Sequence, residues 1–162
     1  MCGIFLVFSK KGNPLPSDRC IDASRELYNR GPDYFKYNFF RKNTLYLSNT
    51  ILSITGVPEK ENKISSSLNR NFFISFNGEI YNYRELCKNF LPKFYLDKHL
   101  TDTKVLINLH EKINYKSIPD FLNGMYAYTI FDKKEDKLII ANDVQGEKSL
   151  YYSEDENFFI IS

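Results

Sequence analysis

The residue behind the initiator is a cysteine, in Met1-Cys2-Gly3-Ile4-Phe5. Removing one residue would leave a terminal group carrying both an α-amine and a thiol. Reference pKa values of about 7.7–8.0 for such an amine and about 8.5 for a thiol let the amine take the thiol proton near neutral pH. A nucleophile activated by its own backbone nitrogen needs no histidine. The two histidines, His99 and His110, lie in no triad-like or metal-ligand spacing. The plainer alternative is a cysteine acting as a small hydrophobe at the start of a strand, since cysteines are among the most buried residue types.

Further segments carry side chains suited to the same chemistry: Arg30-Gly31-Pro32-Asp33, Phe76-Asn77-Gly78-Glu79-Ile80-Tyr81-Asn82, Thr101-Asp102-Thr103, and Gly124-Met125-Tyr126-Ala127-Tyr128 ahead of Phe131-Asp132. Attack on a carboxamide passes through a tetrahedral oxyanion, and losing one preorganised donor to it typically costs about 2.7–4 kcal/mol of barrier. Asn77 offers a side-chain amide donor, and Gly78 a backbone N–H unobstructed by a Cβ. Each segment also has a local alternative. Asn-Gly between apolar runs is a strong hairpin signal. Arg30, before a Gly-Pro stop, suits a helix C-terminus, and Asp102 in the first turn of a helix capped by Thr101 stabilises that helix by about 0.3–1 kcal/mol. Glu79 would be ordinary on a solvated strand end.

The elements that must carry these residues follow from periodicity. Gly3–Phe8 is a short apolar run of buried-strand type, followed by turn residues Gly12, Asn13, Pro14 and Pro16. From Ser17, a candidate cap, Cys20, Ile21, Ser24, Leu27 and Tyr28 follow helical spacing up to the stop at Gly31-Pro32. Tyr34–Phe40 and Thr44–Ile54 predict a strand pair around Arg41-Lys42-Asn43. Gly56–Arg70, with Ser65-Ser66-Ser67, reads as a mobile surface loop. Asn71–Phe76 resumes as strand, Tyr83–Phe90 reads as a short helix, and Thr101–Ile113 as a helix with Val105, Leu106, Leu109 and Ile113 on one face. Met125–Phe131 and Leu138–Ala141 predict a hairpin, and Phe158–Ile161 a last strand. Grouped strands and grouped helices argue for an α+β domain over 1–162 rather than alternating βαβ units. Neither an internal repeat nor a Gly-rich phosphate loop of Walker or Rossmann type is present in the sequence.

Composition narrows the field. At 162 residues the chain is large enough for a proper core, and 43% apolar residues with a net charge of +2 exclude a disordered chain. So weak a charge gives no field suggesting nucleic acid. Three widely spaced cysteines, Cys2, Cys20 and Cys87, fit a reducing compartment better than a disulfide framework. The apolar run Ile4–Phe8 is too short for a signal-peptide core or a membrane span. The expectation is a cytoplasmic protein without membrane or nucleic-acid partners.

In order and spacing, the amino-terminal Cys-Gly-Ile and the four segments resemble the class II glutamine amidotransferase domain, the amino-terminal-nucleophile glutaminase half of glutamine-dependent asparagine synthetases. The resemblance runs from Cys2 to Tyr152, and Phe158–Ser162 is similar to that domain's closing strand. It implies the four-layer αββα sandwich of N-terminal-nucleophile hydrolases. It implies Cys2 as nucleophile, with Asn77 and Gly78 as oxyanion hole, Arg30 ordering the site, and Glu79 and Asp102 holding the glutamine, its α-ammonium in particular. No metal or other cofactor is expected for the glutaminase step. ATP and Mg would act through a synthetase domain, expected in another segment or chain, that accepts the ammonia. Oligomeric state is left open.

Three departures stand out. The family's arginine before Leu-Ser-Ile, which grips the glutamine α-carboxylate, is Ile51 here. A charge-assisted hydrogen bond contributes about 1.5–3 kcal/mol, so glutamine binding is threatened more than the nucleophile. Asn142, Val144 and Ser149 replace types the family more often carries, and the segment after Gly56 lacks a common Gln-Pro pair. The leading expectation is hydrolysis of glutamine to glutamate and ammonia for asparagine-synthetase-type amidation. The alternatives are a catalytically weak or inactive module with a regulatory or partner-binding role, and hydrolysis of an amide that lacks a free α-carboxylate.

Overall fold

A computed structural model describes residues 2–53 and 63–162. Ile54, Gly56 and the segment immediately after it, with the Gln-Pro departure, lie outside the described residues. Within them the chain forms two sheets and three α-helices: β1 (Gly3–Ser9), α1 (Ser17–Arg25), β2 (Tyr34–Phe40), β3 (Leu45–Ile51), β4 (Ser65–Ser66), β5 (Phe72–Ile80), α2 (Tyr83–Phe90), α3 (Asp102–Leu109), β6 (Gly124–Asp132), β7 (Lys137–Asn142), β8 (Tyr152–Glu154) and β9 (Phe158–Ile161). They divide into two compact units. The first holds the described residues up to Ile64 with Ser75–Asn77 and Ser149–Ser162, and the second holds Ser65–Ile74 and Gly78–Lys148.

In the first unit, five antiparallel strands run in the order β2-β3-β1-β9-β8. Side chains alternate across such a sheet, and the two faces differ sharply in chemistry. One carries Phe5, Val7, Tyr37, Phe39 and Tyr46, packed with Leu15, Cys20 and Ile21 from the α1 region. Burial drives this contact, and the Ser24 hydroxyl meets the Tyr46 hydroxyl at 2.7 Å, so the buried phenol is hydrogen-bonded. On the opposite face Lys36, Asn49 and Ile4 stand in cross-strand register. The β2–β3 turn takes Arg41, Lys42 and Asn43 through φ of 53°, 53° and 66°.

The second unit's sheet runs β4-β5-β6-β7, with α2 and α3 packed on each other. The face predicted for α3 is buried at Val105, Leu106 and Leu109, and the Thr101 hydroxyl accepts from the Lys104 N–H as a cap. The helix ends at Leu109, so Ile113 lies beyond it. Three other expectations need correction. Ser17 is the first residue of α1 rather than its cap, and Pro16 precedes it without a side-chain cap bond. Leu27 and Tyr28 lie outside α1, and Tyr28–Arg30 forms a separate 3-10 turn. Ser65–Ser66 is strand rather than loop, and buried Ser67 donates to Glu111 Oε1 at 2.6 Å. Serine-rich composition suggested a loop, but hydrogen bonding to α3's C-terminal side and to β5 supplies the pairing that local sequence lacks.

Candidate active site

The Cys2-Gly3 backbone is held by side chains on every polar group. Cys2 N donates to Asn77 Oδ1 at 3.1 Å, and Cys2 O accepts from Arg30 Nε at 3.3 Å. Gly3 N donates to Thr50 Oγ1 at 3.1 Å, and Gly3 O accepts from Asn49 Nδ2 at 2.8 Å. The start of β1 is thereby fixed in direction as well as in register with Thr50. Cys2 itself is half-buried, and none of the three cysteines is in a disulfide.

Two of those partners, Asn49 and Thr50, escaped the sequence reading. Both are buried in β3, whose Ser48-Asn49-Thr50 run is polar inside an otherwise apolar strand. That was the available signal, because buried polar groups must find partners. Asn49 uses both ends of its amide: Nδ2 reaches Gly3 O, and Oδ1 accepts from Phe76 N at 3.0 Å. It ties β1 to the β5 residue just before Asn77. The Thr50 hydroxyl donates a hydrogen bond to Leu27 O at 3.1 Å, which anchors the turn leading to Arg30.

The Arg30-Gly31-Pro32-Asp33 segment wraps the end of β3. A Cβ on Gly31 would stand 2.6 Å from backbone atoms of Thr50 and Ile51, so this close approach admits only glycine. Asp33 N donates to Ile51 O at 3.1 Å, and the Asp33 carboxylate accepts from Ser53 N at 2.8 Å. Arg30 lies at the C-terminal end of its 3-10 turn, as its helix-end reading requires, and its guanidinium also reaches the Cys2 carbonyl. Ile51, where a cation was expected, is the half-buried last residue of β3.

Asn77-Gly78 is not a hairpin turn. The strand β5 continues through it to Ile80. Gly78 adopts φ 153°, and a Cβ there would collide with the Met125 carbonyl and the Tyr126 backbone, so glycine is required by both conformation and space. Local sequence overstated the turn because the pairing with β6 is set by distant residues. In the second unit, exposed Glu79 follows, and Asp102 accepts from Ile80 N at 3.2 Å and from Thr103 N at 2.6 Å. Burial pushes the Asp102 pKa up, as does the nearby Glu79 charge, against the lowering effect of the Ile80 and Thr103 hydrogen bonds.

The structure thus brings Cys2, Arg30 and Asn77 together in the first unit, with Ile51 at the strand end beside Arg30's segment. Gly78 follows Asn77 along β5, and the second unit joins Asp102 to the same strand. Among the described residues no group of three or more His, Cys, Asp and Glu side chains is placed to hold a metal ion. No described helix is long and apolar enough to cross a membrane, which leaves strand-built spans unaddressed.

Among the described residues the chain is a mixed one of two antiparallel sheets and three α-helices, with the Cys2 N–H donating to Asn77. The chain belongs to the glutamine amidotransferase domain family, whose model matches residues 1–162. A Methanocaldococcus jannaschii protein whose name places it among the glutamine-hydrolysing asparagine synthetases is 34% identical, covering 100% of this chain and 34% of the relative. Asparagine synthetase [glutamine-hydrolyzing] 1 of Saccharomyces cerevisiae is 31% identical over 93% of this chain and 25% of its own length. Asparagine synthetase [glutamine-hydrolyzing] 2 of Oryza sativa is 30% identical with the same two shares. The chain therefore spans about a quarter to a third of the curated relatives it matches. The family read from the motifs is the one that the whole chain matches.

Proposed function

We propose that this chain is a glutaminase, hydrolysing glutamine to glutamate and ammonia for an asparagine-synthetase-type amidation. After Met1 is removed, the Cys2 amine takes the thiol proton and the Cys2 sulfur attacks the glutamine side-chain carbonyl. A C–S bond forms, and the carbonyl electrons move onto oxygen. Asn77, with Oδ1 occupied by Cys2 N, has Nδ2 as its donor to that oxyanion, and Gly78 N–H is the next donor along β5. Collapse breaks the C–N bond, and the departing nitrogen takes its proton from the Cys2 ammonium. Water then cleaves the γ-glutamyl thioester, returning the thiol. Arg30 holds the Cys2 carbonyl, which keeps the nucleophile aimed. Glu79 and Asp102 receive the substrate α-ammonium; burial raises the Asp102 pKa, and a cation bound beside it would favour the ionised carboxylate in return.

The finer architecture that goes with this reading is the four-layer αββα sandwich. ATP and Mg belong to a synthetase part that accepts the ammonia, in the same longer protein or in a separate chain. Unbridged Cys2 suits a reducing, cytoplasmic setting. The observation that carries the proposal is the hydrogen bond from Cys2 N to Asn77 Oδ1, because it places the nitrogen that would act as base beside the side chain that would hold the oxyanion.

Covalent labelling tests it. A glutamine-like diazoketone incubated with the Met1-processed protein should modify Cys2, located by peptide mass spectrometry, and excess glutamine should slow the reaction. Asn77→Ala should lower kcat by about a hundredfold, the loss expected for one oxyanion donor of about 2.7 kcal/mol. Absence of a Cys2 adduct from processed protein that binds glutamine would reject the mechanism.

A further inference from the structure

The peptide joining Cys2 to Gly3 sets the direction in which the nucleophile and its amine leave the chain. Both of its polar ends are taken: Cys2 O accepts from Arg30 Nε at 3.3 Å, and Gly3 N donates to Thr50 Oγ1 at 3.1 Å. We propose that Thr50 is a positioning residue for the reaction, its hydroxyl closing a ring of hydrogen bonds that locks this peptide plane to the turn carrying Arg30; the inference rests on the glutaminase reading above.

The ring can be followed bond by bond. From the Gly3 N–H it passes to the Thr50 hydroxyl, which donates onward to Leu27 O at 3.1 Å. The same carbonyl accepts from Arg30 N at 2.9 Å. The Arg30 side chain then returns to Cys2 O, across the peptide from where the ring began. Every residue in it belongs to the first compact unit. A hydroxyl has one proton to give and lone pairs to receive, so a single oxygen serves both of its neighbours. Each bond in such a chain polarises the next, which strengthens it beyond separate contacts.

Packing holds the same arrangement. Thr50 is 1% exposed, and a Cβ on Gly3 would stand 2.5 Å from Thr50 Oγ1 and 2.8 Å from Leu27 Cβ. Gly3 pairs with Thr50 in the β1–β3 register, so the hydroxyl lies against the residue directly across. A peptide plane turns only through ψ of the residue before it and φ of the residue after it. Gripping both ends of the Cys2–Gly3 plane therefore fixes ψ of Cys2, and with it the bearing of the amine and thiol toward Asn77, which accepts from Cys2 N. A misplacement of about 1 Å costs about a hundredfold in rate. Thr50 acts through Gly3 and Leu27 rather than by contact with the reacting atoms.

Thr50→Val keeps the shape of the side chain and removes the hydroxyl. In Met1-processed protein it should lower kcat for glutamine about tenfold to a hundredfold and leave KM unchanged. Alkylation of Cys2 by iodoacetamide, whose attack needs no oxyanion geometry, should keep its wild-type rate and pH dependence. Thr50→Ser should retain the wild-type kcat. Adding Arg30→Met to Thr50→Val should cost less than the product of the two single effects, because either change opens the same ring. An unchanged kcat in Thr50→Val, a loss that appears in KM or in the alkylation rate, or two losses that multiply independently would overturn the role of Thr50 while leaving glutaminase activity in place. Should Thr50→Val not fold, Thr50→Ser against Thr50→Cys makes the same comparison, since a thiol is a weak donor and a weak acceptor. Retained kcat in the serine variant with a loss in the cysteine variant supports the ring, and equal kcat in the two overturns it. No turnover by wild-type protein would instead remove the glutaminase reading itself.

Discussion

Asn49 shows how much one side chain can organise. Its amide satisfies Gly3 O and Phe76 N, two backbone groups that belong to different strands and that bracket the residues proposed for catalysis. Replacing it by alanine leaves both groups buried without a partner, at a cost of about 1–3 kcal/mol each. Asn49→Ala should therefore lower Tm by several degrees for a chain of this size. It should also lower kcat more than it raises KM, because it loosens the nucleophile and the Asn77 segment together. Thermal melting with steady-state kinetics on the same preparation checks both parts. A stable variant with unchanged kcat would show that Cys2 keeps its position without Asn49.

At the scale of elements, the loop after β7 is built on a single carboxylate. Asp143 accepts from Tyr126 N, Gln145 N, Glu147 N and Lys148 N, at 2.9–3.1 Å. Burial opposes its ionisation, but the backbone donors from Lys148, Glu147, Tyr126 and Gln145 outweigh it and hold the pKa below the ordinary carboxylate value. A depressed folded-state pKa means that the stabilisation is present above the unfolded-state value and is lost as pH falls through the folded one. Asp143→Asn should thus be less stable than wild type at neutral pH, and the difference should shrink as the solution is acidified below the carboxylate range. Hydrogen exchange in residues 143–148 should accelerate in the variant at neutral pH. Equal exchange in both proteins would mean that the loop does not depend on this charge. Val144, one of the departures from the family pattern, is exposed in this loop while its neighbour does the anchoring.

For the molecule as a whole, a buried histidine should add to the loss of stability in acid. His110 is 6% exposed, and neither ring nitrogen has a partner among the described residues. Phe72 and Tyr128 pack against its ring, each at a centroid distance of 5.8 Å. Burial therefore favours the neutral imidazole and lowers its pKa from 6.5 to about 4. The unfolded chain binds a proton first on acidification, so stability is complete above about pH 6.5 and declines as pH falls toward about 4. The decline attributable to this group approaches about 3 kcal/mol at about 1.36 kcal/mol per unit. Chemical denaturation between pH 4 and pH 7 should show that slope in wild type and a flatter one in His110→Leu. Parallel profiles would assign the acid sensitivity elsewhere.

Local chemistry carried much of this protein's description. Apolar runs marked β1, β2 and β9 within a residue, the Thr101 cap marked the start of α3, and the spacing of Cys2, Arg30, Asn77 and Asp102 pointed to the amidotransferase family, because strand periodicity, capping and motif order are written in neighbouring residues. The strand β8 left no such mark: it is three exposed residues, made a strand by its pairing with β9. The fate of Asn77-Gly78 also lay beyond local reading, since a turn and a continued strand differ in which remote backbone lies alongside. The same holds for Asn49 and Thr50. Their partners or strand neighbours are remote in sequence, as in the hydrogen bonds linking Asn49 to Gly3 and to Phe76, 46 and 27 positions away. A hydrogen bond or a shared sheet face exists only after distant segments have been brought into register, and that register is a property of the folded chain.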